Sequence, residues 1–92
     1  MSQPLGLNKM LEKLTLPITQ YDHFWWGTAP GASTRDVAIY GSTSRINGAD
    51  ELLFVFHDAH NDTPKMHMLI ASCRALNEHR EEVLRRVERL LG

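Results

Sequence analysis

Residues 57–62 read His-Asp-Ala-His-Asn-Asp, two imidazoles and two carboxylates within six positions. These are side chains that hold zinc: His57, His60 and His67 would supply ring nitrogens and Asp58 or Asp62 an oxygen. The spacing opposes that chemistry. His57 and His60 lie three residues apart, so a continuing strand would point them to opposite faces. A helix would bring them together only if it began before Pro64, among poor helix formers. No second cysteine and no His-Glu-x-x-His pair is present to anchor a site. The same residues account for a helix entrance. Asp58, Asn61 and Asp62 are turn formers, Asp62 or Thr63 can accept a bond from the first free helix N–H groups, and Pro64 suits the first turn. The expectation is a helix start, with no metal and no cofactor.

Nucleophiles fare no better. Cys73 falls inside an apolar helical stripe, where free cysteine behaves as a small hydrophobe, and neighbouring Arg74 points elsewhere on the helix. Gly-Ser-Thr-Ser at 41–44 lacks the G-x-S-x-G frame of a nucleophile elbow. Gly-Thr-Ala-Pro-Gly-Ala-Ser-Thr at 27–34 has no Gly-Lys-Ser/Thr ending and no helix after it, as a phosphate loop requires. The chain is therefore expected not to be an enzyme. A metal enzyme using His57 and His60 stays as the outlying alternative.

What remains is surface. Arg74, Arg80, Arg85, Arg86 and Arg89 alternate with Glu78, Glu81, Glu82 and Glu88. Glu81–Arg85 and Glu82–Arg86 are i,i+4 pairs in the favourable order, each worth about 0.2–0.5 kcal/mol. Arg35 and Arg45 fall outside that pattern, beside a loop and a turn, and are better placed to meet a phosphate or a partner's carboxylate. Trp25 and Trp26 are adjacent, so a strand sends one inward and one outward. The outer ring is either covered by the N-terminal helix or exposed as an interface anchor. Trp26, Arg35, Arg45, Arg85 and Arg86 are the expected partner-binding residues.

The elements that must carry these side chains follow from periodicity. Leu7, Met10, Leu11 and Leu14 mark a short amphipathic helix over residues 4–14, which Pro17 cannot extend. Ile18–Trp26 reads as a strand, with Tyr21, His23 and Trp25 on one face and Asp22, Phe24 and Trp26 on the other. Residues 35–46 alternate as a second strand, Asn47-Gly48 signals a type I′ hairpin, and residues 51–57 are nearly all apolar. Met66, Leu69, Ile70, Cys73 and Leu76 form one helical stripe; Val83, Leu84, Val87, Leu90 and Leu91 form another. As heptads the stripe runs 66, 69, 73, 76, 80, 83, 87, 90, broken by Arg80. The polar Asn77–Glu81 stretch between the stripes predicts two helices, or one sharply bent, meeting near Asn77. The expected fold is α+β: a three-stranded antiparallel sheet with an N-terminal helix and two C-terminal helices packed on it.

Composition bounds the rest. Ninety-two residues read as a single domain spanning 1–92. Ten basic against eleven acidic residues give a net charge of −1, unlike either a general nucleic-acid binder or an acidic DNA mimic. One cysteine cannot form an internal disulfide, and no apolar run nears the roughly 18 residues of a membrane span. A complete, small cytosolic protein without membrane contact is expected.

The run 61–91, Asn-Asp-Thr-Pro-Lys through Leu90-Leu91, resembles the tail of many small phage and prophage accessory proteins. Those place short strands before a helix like A-x-x-I-A-x-x-R and a second like L-x-x-V-x-x-L. The matching residues here are Met66, Leu69, Ile70, Ala71 and Arg74, then Val83, Leu84, Val87, Leu90 and Leu91. The chain departs from the pattern in having no proline before the second helix and an added N-terminal helix. Such proteins include inhibitors of bacterial defence, anti-CRISPR proteins among them. The resemblance implies a phage-encoded, stoichiometric inhibitor in the host cytoplasm. In its most concrete form it binds a type I RNA-guided surveillance complex, touches protein and guide-RNA phosphates, and blocks target DNA. The alternative is a small phage regulatory or structural homodimer paired through its C-terminal helices; a monomer or weak dimer is expected.

Overall fold

A computed structural model describes residues 6–31, 34–43 and 49–92. Its first element is α1 (Leu7–Lys13), whose Met10 is buried while Leu7, Leu11 and Leu14 lean on the same core. The chain leaves α1 extended and makes a 3-10 turn at Ile18–Gln20 behind Pro17. The expected strand from Ile18 is thus shortened: β1 is His23–Thr28. Tyr21 precedes the strand, so it does not share a face with Trp25. Its ring is fully buried, 5.1 Å from the Phe24 ring.

β2 (Val37–Thr43) and β3 (Ala49–Phe56) complete an antiparallel sheet in the order β1-β2-β3. Phe24, Val37, Ile39 and Phe54 line the core face. Trp25, Tyr40, Leu52 and Val55 alternate onto the other face, which none of the described helices covers. The register slips at Ile39/Tyr40: Ile39 pairs with Phe54 but Tyr40 with Leu52, so β3 carries a bulge at Leu53. The Asn47-Gly48 hairpin signal lies outside the described residues.

α2 (Thr63–Leu91) is one helix of 29 residues, about 43 Å at 1.5 Å per residue. This corrects the expectation of two C-terminal helices. The polar stretch around Asn77 does not end the helix because its side chains bond outward. The Asn77 amide accepts from the Phe24 N–H at 2.8 Å and donates to the Phe24 carbonyl at 2.9 Å. Arg80 Nε donates to the Tyr21 carbonyl. Asn77 thus meets the outer edge of β1 at Phe24 as another strand's backbone would, and Arg80 holds the residue two before the strand. Leu69, Cys73 and Leu76 bury the stripe upstream of them against the sheet. Among the described residues no helix is long and apolar enough to cross a membrane.

Candidate partner-binding surface

The histidine-rich segment folds as a turn feeding a helix. Asp58 adopts φ 57°, the left-handed region that aspartate tolerates better than most residues, and Ala59–Asn61 makes a 3-10 turn. Asp62 is the N-cap of α2, accepting from Lys65 N–H at 3.1 Å, a contact worth about 1 kcal/mol. The Asp58 N–H donates to Asp36 Oδ1 at 2.8 Å, and His57 Nδ1 lies 3.4 Å from Asp36 Oδ2. That N–H, helped by His57, holds the Asp36 carboxyl below its usual range. His60 meets Arg35 through its backbone, N–H to carbonyl at 3.1 Å. The His57, His60 and His67 side chains are all exposed. Among the described residues, no three histidine, cysteine or acidic side chains converge as metal ligands would.

Cys73 is 5% exposed, and burial pushes its thiol pKa up. In the native protein it is expected to react with a thiol-specific chromogenic reagent about tenfold or more slowly than in denaturant. A single fast phase under native conditions would mark it as an accessible, activated thiol.

The surface along α2 is organised differently. Trp26 stands on the helix side of the sheet yet is 41% exposed, because α2 passes over the strand without covering it. It borders a furrow of about 440 Å³ with Ile70, Cys73, Arg74, Asn77 and Glu78. Asn77 and Glu78 also border a second depression of about 400 Å³, which continues to Glu81 and Arg85. Trp26 and Arg85 therefore share one continuous flank of α2. Beyond residue 84 every side chain of the helix is exposed, including Leu90 at 87% and Leu91 at 85%. Large apolar groups so displayed carry a free-energy cost that a partner would remove.

The expected contact residues divide accordingly. Trp26 and Arg85 lie on the same flank of α2 but apart along it, Trp26 beside residues 70–78 and Arg85 beyond them. Arg86 sits next to Arg85 on α2 but is ion-paired with Glu82. Arg35 belongs to the opposite end, beside the start of α2, about 35 Å from Arg85 along the helix axis. Arg45 lies outside the described residues. Trp25 is neither a free anchor nor covered by α1: it stacks on Tyr40 with ring centres 4.4 Å apart on the helix-free face.

The residues that sequence reasoning passed over are Asn77 and Arg80, as strand-edge clamps, and Leu90 and Leu91, as surface rather than core. For the clamps a signal existed, since both fall on or beside the apolar stripe; their backbone partners some 55 residues upstream were not readable from it. Comparison with protein-family models, with curated proteins and with solved structures gives no match.

Proposed function

We propose that the protein works by occupancy, as a stoichiometric binder whose contact surface is the projecting end of α2 around Val87, Leu90 and Leu91, with the Trp26 and Arg85 flank on another side of the same helix. The observation that carries this is the projecting end of α2, where Val87, Leu90 and Leu91 stand 42%, 87% and 85% exposed. Aliphatic anchors flanked by charged residues one turn away, Arg86 before Leu90 and Glu88 before Leu91, have the make-up of an interface core with a charged rim. The sequence resemblance gives the first partner to try, a type I RNA-guided surveillance complex. In that version the protein is a phage-encoded inhibitor that keeps target DNA from the complex.

The test mixes protein and purified complex and measures mass and target-DNA binding. A mass increase of one or a few copies, with loss of DNA binding, is expected. Leu90→Asp, at a fully solvated position, should weaken the inhibition about thirtyfold, the scale of an interface hot spot. No mass shift and unimpaired DNA binding would reject this partner. A Leu90→Asp protein as potent as the original would reject the α2 surface.

A homodimer paired through the same helix end is the competing reading. Arg80, at a seam position, is committed to its own Tyr21 carbonyl. That leaves Val83, Val87 and Leu90, about two helical turns, which is short for a two-stranded coil.

A further inference from the structure

The two edges of the sheet are treated differently. On β1's outer edge Asn77 takes both backbone groups of Phe24, with Arg80 on the Tyr21 carbonyl just before the strand, whereas among the described residues no strand lies along β3's outer edge. An open edge strand of eight residues is a template for another strand. A groove of about 690 Å³ opens beside Leu53–His57, walled by Lys13 of α1 and by Pro64, Lys65 and Met68 of α2; at its far end Lys65 Nζ donates to the His57 carbonyl at 2.7 Å, one of whose lone pairs stays available.

The bulge decides what fits there. Asp50, Leu52 and Val55 share the helix-free face with Ser42, Tyr40 and Ala38, while Glu51, Phe54 and Phe56 share the core face with Gly41, Ile39 and Val37. Leu53 also points coreward, toward Gly41. His57 continues the alternation outward, so residues 50–57 run out, in, out, in, in, out, in, out. That order is a palindrome about Leu53/Phe54. A regular strand would fall out of step at the bulge, but an antiparallel copy of β3 stays in step throughout. We infer that β3 pairs edge to edge with β3 of a second copy, about a two-fold axis between Leu53 and Phe54, giving one six-stranded sheet.

The chemistry agrees with the geometry. In this register Leu52 (44% exposed) meets Val55 (38%) of the second copy, twice over, and Asp50 meets His57. Glu51, on the core face, comes beside the groove that carries the other copy's Lys13 and Lys65. Cross-strand pairs of these kinds each favour association. The backbone is also available. Phe24 gives both its groups to Asn77, so Phe24–Gly41 is a non-hydrogen-bonded pair. Alternation then turns the N–H and C=O of Leu52 and Val55 away from β2.

Light scattering from micromolar to millimolar protein should show a mass rising from 10.5 kDa toward twice that value. Over the same range the Leu52 and Val55 amides should become slower to exchange with solvent. Val55→Pro, whose lost N–H serves no bond to β2, should stay folded by circular dichroism and remain a monomer throughout. A wild-type monomer at every concentration overturns the inference, and so do Leu52 and Val55 exchange rates independent of concentration. A dimer that survives Val55→Pro but is lost in Leu90→Asp overturns it as well, placing the contact at the end of α2. If Val55→Pro fails to fold, the wild-type exchange rates decide alone.

Discussion

Asn77→Ala should lower stability by about 2 kcal/mol, moving the thermal midpoint down by about 10 °C for a domain of this size. Helix propensity alone gives the opposite sign, because alanine in a helix interior is better than asparagine by about half a kcal/mol. The loss arises 53 residues away. Phe24 is 3% exposed, and its N–H and C=O both end on the Asn77 amide. Truncation leaves a strand-edge donor and acceptor, each part-buried, without partners, at about 1–3 kcal/mol apiece before water compensates. Asn77→Asp should recover part of the loss, since a carboxylate still accepts from the Phe24 N–H but cannot donate to its carbonyl. Thermal or denaturant unfolding of the three proteins measures this. An alanine variant as stable as the original would mean that the clamp contributes nothing net.

Gly41→Ala is the second large effect, and it too runs against local preference, since alanine in a strand ordinarily gains about 0.5–1 kcal/mol over glycine. A Cβ at this position would stand 2.5 and 2.7 Å from the Tyr21 ring carbons and 3.2 Å from Leu53 Cδ1. The ring has little freedom to withdraw. It is fully buried against Phe24, its hydroxyl donates to Glu51 Oε2 at 3.0 Å, and its carbonyl is held by Arg80. Burial also pushes the Tyr21 phenol pKa up, further still beside Glu51, so the hydroxyl keeps its proton across the neutral range. Overpacking of this kind should cost about 3 kcal/mol and about 15 °C. Tyr21→Leu alone should be destabilising too, yet adding Gly41→Ala to it should cost much less than in the native background. Additive losses in that double-mutant cycle would show that ring and Cβ do not meet.

Both effects mark where residue pattern stopped being informative. The elements themselves were legible. Apolar spacing at Leu7, Met10, Leu11 and Leu14 gave α1, alternation gave β2 and a nearly continuous apolar run gave β3, to within two residues at each described end. Asp62, Thr63 and Pro64 announced the start of α2 because capping is a local matter of a few backbone N–H groups.

Tertiary structure decided the rest. Whether Asn77 breaks a helix depends on where its amide finds partners, and Phe24 is brought there only by the fold. Tyr21 leaves the strand pattern because the 3-10 turn before it drops its ring into the core, against Gly41. The bulge at Leu53 sets which β3 side chains face outward, and a run of apolar residues carries no mark of it. Trp26, Arg35 and Arg85 looked equivalent as surface candidates, yet the length of α2 separates Arg35 at its start from Arg85 near its end, with Trp26 beside its middle. Local sequence determined which segments are helix and strand, since that rests on neighbours within a few residues. The pairing of polar groups and the composition of each surface rest on contacts across the whole chain, and there the assembled fold had the final word.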